Sequence, residues 1–285
     1  MEEYLEAKSI EVERVPQRDL DGRQLRELEY HRGWACCHAN RIDQPVADDV
    51  LRSSSRRPWN ATWCAYDALI QANLAGKRIL IPGCGFGDDA IRLAKLGAEV
   101  YASDLSEELL RIARTRARRA GTDRIRFDAM AVESLAYADH TLDGVFFNDI
   151  LHHVDIGGAL AETRRVLKPG ALVVVNELYT HSAIQRVRQS ALVNRLIYPR
   201  MVRFIYGTDR PYITADERKI DERELAAIEA VVDSHRTLNF FLLLEGRLFP
   251  SRWPRLSRLD HRLLRTFEPV GRSLAGRFVL IGRLN

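Results

Sequence analysis

The sequence predicts an open α/β fold: a mostly parallel sheet of seven strands with helices on both faces, preceded by a helical segment and carrying an insertion before the sixth strand. Three observations predict it. Apolar β-type runs alternate with helix-period stretches through residues 78–177, which requires parallel strands joined by helical crossovers. The first run, Ile79 to Pro82, empties into glycines at alternate positions, Gly83, Gly85 and Gly87, and a helix pattern follows at once in Ala90, Ile91, Leu93, Ala94 and Leu96. Strand, glycine turn and helix in that order let a ligand approach backbone that any side chain would obstruct. At the end of the next apolar run, Val100 to Ser103, stands Asp104, placed to accept hydrogen bonds from the two hydroxyls of a ribose.

The elements follow in order. Residues 1–75 hold helices around 21–38 and 60–74, with Pro45 and Pro58 breaking the pattern between them. Residues 76–285 form the core. Strands fall near 78–82, 99–103, 124–128, 143–148 and 171–177, and helices near 88–96, 106–120 and 157–167, the last stopped by Pro169-Gly170. Residues 178–233 are an insertion with an apolar, arginine-rich helical part (182–206), a polar connector (207–221) and a helix (222–233). The sixth strand covers 235–244 and the seventh 277–283, separated by a second elaboration, 246–275, rich in Arg, Leu, Phe and Trp.

Composition narrows the function. A chain of 285 residues suits one large α/β domain with elaborations, and its net charge of +4 is too modest for a general polyanion partner, so nucleic acid is not expected. The acidic N-terminus and the lack of any apolar run approaching ~20 residues argue against export and against a membrane span, and so for a cytoplasmic protein. Cys36, Cys37, Cys64 and Cys84 fit neither a zinc site nor a disulfide framework, and no metal is expected.

The glycine spacing also bears on the ligand. Nicotinamide and flavin sites use G-x-G-x-x-G; here the third glycine comes one position early, and Asp88 and Asp89 follow. Two carboxylates there suit the helix dipole but would repel a pyrophosphate, which favours a cofactor without phosphates.

Segment 78–177, about a third of the chain, resembles the core of a class I S-adenosylmethionine-dependent methyltransferase of the small-molecule type. The matching features are the Gly83/Gly85/Gly87 loop, Asp104, Asp128-Ala129, the turn Asn148-Asp149-Ile150-Leu151-His152-His153 and the stretch Arg165-Val166-Leu167-Lys168-Pro169-Gly170. The resemblance implies a Rossmann-like fold and S-adenosylmethionine as cofactor, with residues 1–75 as an N-terminal helical lid. It implies that the glycine loop, with Cys84, holds the methionine end and that Asp104, beside Leu105, grips the ribose. Asp128, Ala129 and Met130 would line the adenine, and the backbone at Asn148 would lie beside the sulfonium. One departure stands out: Ile81 occupies the position, two before the first glycine, where the family usually carries an acid. Another group would then meet the cofactor's amino group, Asp88 or Asp89 being candidates.

Methyl transfer is a direct displacement, so the protein must align a nucleophile and, for an alcohol, remove its proton. His152 and His153 follow the strand that would end beside the sulfonium, and histidine titrates where a general base should. Glu177 ends the fifth strand on the ligand-binding rim, where it could pair with a histidine, contact substrate or simply meet solvent. Arg56, Arg57, Trp59, Trp63 and Tyr66 form a second constellation: two arginines for an anionic group and rings to wall the methyl path. The same rings, at helical spacing, also fit the buried face of a helix. Two basic amphipathic stretches carry Arg186, Arg188, Arg195, Arg200 and Arg203, then Arg252, Arg255, Arg258, Arg262 and Arg265. The pattern favours packing on the sheet with a solvated arginine face, and leaves peripheral contact with an anionic lipid surface open.

The expectation is therefore a methyltransferase acting on a hydroxyl oxygen of an amphipathic or anionic small molecule. The alternatives are an N-, S- or prenyl C-methyltransferase needing no histidine base, and a non-catalytic protein that binds S-adenosylmethionine.

Overall fold

The computed structural model describes residues 20–52, 54, 56–206, 219–245, 248–249 and 253–285. Its seven strands are β1 (Arg78–Pro82), β2 (Glu99–Asp104), β3 (Ile125–Ala129), β4 (Leu142–Asn148), β5 (Leu167–Leu178), β6 (Thr237–Phe241) and β7 (Arg277–Arg283). They form one sheet in the order β3-β2-β1-β4-β5-β7-β6. β1 to β5 pair in parallel, and β7 runs antiparallel to both β5 and β6. The strand order reverses between β1 and β4, and in such sheets the ligand crevice opens beyond the carboxyl ends of the strands at that point.

Alternate residues of the central strands enter different apolar clusters, as the strand period of two requires. Leu80, Val145, Phe147, Val173 and Val175 belong to one cluster; Ile79, Ile81, Phe146, Leu172 and Val174 belong to the other. Burial on both faces explains why these strands read as unbroken apolar runs. Ile81, at the position of the family's acid, is 2% exposed and is core.

The helices are α1 (Gly22–Cys37), α2 (Ala61–Gln71), α3 (Asp88–Lys95), α4 (Glu107–Arg119), α5 (Ile156–Val166), α6 (Ser182–Gln189), α7 (Tyr198–Tyr206), α8 (Glu222–Glu229), α9 (Pro254–Thr266) and α10 (Glu268–Leu274). Side chains start most of them by accepting otherwise orphaned backbone N–H groups. Asp21 and Gln24 make a reciprocal capping box on α1; Asn60, Ser106 and Asp155 cap α2, α4 and α5; Asp221 and Glu224 repeat the box on α8. α1 sits on α4 through a small cluster of Ala35, Leu109 and Ile112, edged by Trp34, Ile42 and Phe86.

The elaborations pack less than their pattern suggested. No residue of α6 is buried, and Leu192, Leu196, Ile197 and Phe204 are exposed. α9 buries Ser257, Asp260 and Leu264 but exposes Leu259 and Leu263. The side chain of Arg203, residue Arg252 and most of the 207–221 connector lie outside the described residues. No helix of the described residues is long and apolar enough to cross a membrane.

Candidate active site

A cavity of about 360 Å³ opens at the carboxyl edge of the sheet. Its wall comes from the turns after β1 to β4 (Gly83, Gly85, Asp104, Leu105, Met130, Glu133, Asp149, His152 and His153 among them), from Leu178 and Arg277, and from one face of α1.

The glycine loop is built for backbone approach. Gly83, Gly85 and Gly87 all have positive φ, at 64°, 51° and 79°. A Cβ on Gly83 would lie 2.4 Å from the Ile150 side chain, and one on Gly87 would lie 2.8 Å from Ala113, so these two glycines are required by packing. Around the Cβ direction of Gly85 there is no atom within 4 Å, and this glycine faces the cavity. Its N–H donates to Asp104 Oδ2 at 2.9 Å, while Ser106 N–H donates to Oδ1 at 2.9 Å. Asp104 is thus fixed at the cavity wall with acceptor capacity to spare, as a ribose diol requires. The open glycine cradle and this oriented carboxylate fit the cofactor that the sequence implied.

Among the other cofactor candidates, Leu105 and Met130 line the cavity, whereas Cys84, Gly87, Asp128, Ala129 and Asn148 stand behind it. Burial pushes the Cys84 thiol well above its ordinary range. Asp128 Oδ2 accepts from Tyr137 Oη at 2.8 Å and Arg126 Nε at 2.7 Å. Asn148 bridges Asp89 and Asn176, each at 2.7 Å.

Asp88 and Asp89 do not line the cavity, so neither is placed to meet the cofactor's amino group. Buried Arg116 forks onto Asp88 at 2.8 and 3.0 Å and also donates to the Phe86 carbonyl, which anchors the glycine loop from behind. Asp89 accepts from Tyr66, Arg92 and Asn148.

The histidine turn gathers ionisable groups at the cavity. Glu177 is 0% exposed. Its Oε1 accepts the N–H groups of Ile150 and Leu151, each at 2.6 Å, and its Oε2 accepts from His152 Nδ1 at 2.7 Å. Burial works to raise its pKa, but His152 and the two N–H groups prevail and hold it below the usual carboxylate value. With the proton fixed on Nδ1, the basic lone pair of the neutral ring lies on Nε2. Asp149, Glu177 and His152 are a trio with donor atoms within 4.8 Å of one another. Their oxygens are engaged otherwise, Glu177 as described and Asp149 by Arg277 at 2.8 Å. Asp149 adopts φ of 55°, a left-handed turn that ends β4 and aims the following residues at the cavity.

The sequence placed α1 within the 1–75 lid but singled out none of its residues for the site. Arg23, Glu27, His31 and Trp34 recur at helical spacing and form the cavity's outer wall. Glu27 is 3% exposed, its Oε2 lying 3.4 Å from His153 Nδ1 and 3.5 Å from His31 Nε2. Arg23 bonds the His153 carbonyl and Glu133, which ties the helix to the histidine turn. Burial alone would lower the His31 pKa, but Glu27 and Asp104 raise it above the ordinary value.

None of the five substrate candidates lines this cavity. Trp63 and Tyr66 are buried in the core, Tyr66 at 0% exposure. Arg56 pairs with Asp67 at 2.7 Å, Arg57 stacks over Trp63, and Trp59 lies under Arg258. Trp63 and Tyr66 belong to the packing face of α2, and Trp59 precedes that helix.

Comparison with known proteins agrees with this geometry. Residues 80–175 match the family model described as a methyltransferase domain. A demethylmenaquinone methyltransferase of Clavibacter sepedonicus is 33% identical over 142 residues, covering 50% of this chain and 57% of that one. A ubiquinone biosynthesis O-methyltransferase of Sinorhizobium medicae is 34% identical over 103 residues, covering 36% of this chain and 41% of that one. The chain thus spans about half the length of these curated relatives. The crystal structure of geranyl diphosphate C-methyltransferase from Streptomyces coelicolor A3(2) superposes with a TM-score of 0.52 at 16% identity, over 93% of this chain and 98% of that one, a likeness of fold. Residues 80–175, with their glycine cradle, oriented Asp104 and histidine turn, are a class I S-adenosylmethionine-dependent methyltransferase domain.

Proposed function

We propose that the protein methylates a hydroxyl oxygen of a small amphipathic or anionic molecule, with His152 as general base and Glu177 as its positioning residue. The observation that carries this reading is the 2.7 Å contact between His152 Nδ1 and fully buried Glu177, with the same histidine on the cavity wall. Asp104 and the Gly83–Gly85 backbone hold the cofactor; Leu105 and Met130 wall its nucleoside.

When bound, S-adenosylmethionine supplies an electrophilic methyl group on a sulfonium. His152 takes the acceptor's proton onto Nε2 as the oxygen attacks, and Glu177 meets the positive charge that develops on the ring. Arg23 and Arg277, both on the wall, offer cationic contacts for an acidic group of the acceptor. α1 covers the cavity and keeps water from the reacting centre.

The test is turnover of a panel of phenolic, enolic, amine and thiol acceptors by the wild type and by His152→Ala. For a hydroxyl acceptor the variant should lose ~10²–10⁴ in kcat with cofactor affinity nearly unchanged. If His152→Ala and His153→Ala both turn over normally, neither histidine is the base, and any proton the acceptor loses leaves elsewhere. That result favours a nitrogen, a sulfur or a prenyl carbon as the acceptor. A protein that binds the cofactor but methylates nothing in the panel would favour the non-catalytic alternative.

A further inference from the structure

We propose that the edge of the sheet bearing the cavity docks on an anionic lipid bilayer through α9, with the α6–α7 segment as a second contact. α9 shows three distinct faces. Ser257, Asp260 and Leu264 point into the protein. Leu259, Leu263 and Phe267 recur every four residues and form an outward apolar stripe, with exposures of 50%, 39% and 57%. Arg255, Arg262 and Arg265 are exposed beside that stripe. A single soluble helix has no need to present such a stripe to water, and apolar surface flanked by arginine is what a headgroup region accommodates.

The charge on this surface has one sign. Asp260 is the only acid in α9, is 1% exposed, and accepts the N–H groups of Leu244 and Glu245 at 2.8 and 2.9 Å. The next acid along the chain, Glu268, is paired with Arg272 at 2.9 Å. Residues 182–206 carry no acid at all, and among them Arg186, Arg195 and Arg200 are exposed together with Val187, Leu192, Leu196 and Phe204. Topology starts both segments from the same edge of the sheet. β5 and β6 each run antiparallel to β7, so they point the same way. The chain therefore leaves β5 towards α6, and β6 towards α9, from the edge where the cavity opens. Neutral apolar partners would leave the arginines unanswered, whereas anionic headgroups answer both features.

Co-sedimentation of the full chain with phosphatidylcholine vesicles, with and without a quarter phosphatidylglycerol, tests this without reference to methyl transfer. The wild type should bind the anionic vesicles and release as salt rises. The triple variant Leu259→Asp, Leu263→Asp, Phe267→Asp should lose binding. The triple variant Arg255→Gln, Arg262→Gln, Arg265→Gln should bind about a hundredfold more weakly, since each basic residue near such a surface is worth roughly fivefold. Because all six side chains are exposed, circular dichroism should show both variants folded. Equal binding to neutral and anionic vesicles, no binding to either, or anionic binding that survives the aspartate substitutions would each overturn the proposal. So would a wild-type dimer that the aspartate variant converts to monomer with no vesicle binding by either, since the stripe would then be a subunit interface.

Discussion

Replacing Glu177 by alanine would strip the Ile150 and Leu151 N–H groups of their acceptor in a buried site, at a cost of about 1–3 kcal/mol for each group. Glutamine is the more informative change, because its amide oxygen can still serve those N–H groups while its NH₂ faces His152. The ring would then have to accept at Nδ1 and carry its proton on Nε2, the wrong tautomer for a base. Glu177→Gln should therefore lose most of the turnover that His152→Ala loses while keeping most of the stability that alanine forfeits; melting curves and single-turnover rates separate the two. The carboxylate also makes a pH prediction. Its folded pKa is depressed, so its stabilisation is complete above the ordinary carboxylate value of about 4.3 and is lost as pH falls through the lower folded value. Denaturant melts between pH 7 and pH 3 should show the wild type losing stability that Glu177→Gln never had. If the two curves stay parallel, the carboxylate is not ionised in the fold. His152 and Glu177 stood out in the sequence because one follows β4 and the other closes β5, both at the rim. Their pairing was offered there only as one alternative for Glu177, since which histidine it meets depends on the sharp turn at Asp149 that brings residue 152 back over β5.

The strands were legible as elements because burial on both faces writes a continuous apolar run, and the helices because their apolar residues keep the helical period; the caps Ser106, Asp155 and Asp221 stand where they begin. Within the 1–75 segment the sequence singled out residues in and just before α2, whereas the side chains on the cavity wall belong to α1. The rings of α2 satisfy a helical period whether they face a pocket or the core, and periodicity cannot tell the two apart. The α1 face of Arg23, Glu27, His31 and Trp34 looks like a solvated stripe until the helix is laid over the cavity. α1 is held by a small apolar cluster and by polar contacts of Arg23, Gln24, Glu27 and Arg32 rather than by the main core, so it can open without disrupting the sheet. Hydrogen exchange should show S-adenosylhomocysteine protecting 22–37 and leaving 61–71 unchanged; protection of 61–71 alone would return the lid to α2. His31 adds a direction. Its folded pKa is raised, so its contribution to docking is complete below about 6.5 and is lost as pH climbs through the folded value. Exchange in α1 should then rise between pH 6 and 8 faster than intrinsic chemistry dictates, and His31→Gln should remove the excess.

At the scale of the whole molecule, the sheet separates functions by edge. Every cavity-forming turn leaves the carboxyl end of a parallel strand, and Arg277 joins them because antiparallel β7 begins where β5 ends. That juxtaposition of residues a hundred positions apart has no local signature, which is why Arg277 escaped the sequence. The α9 stripe shares this edge with the cavity but none of its lining residues, so the two surfaces should respond independently. Ligand linkage makes that measurable. S-adenosylhomocysteine at a hundred times its Kd should stabilise the wild type by about 2.7 kcal/mol, which for a chain of this size raises Tm by roughly 5 °C or more. Asp104→Ala removes a charge-assisted contact worth about 1.5–3 kcal/mol, so at the same ligand concentration its Tm should shift by only a degree or two. The α9 aspartate variant should keep the full shift while losing vesicle binding. If its thermal shift falls with its vesicle binding, the amphipathic helix is part of the cofactor site and the division of the edge into two surfaces fails.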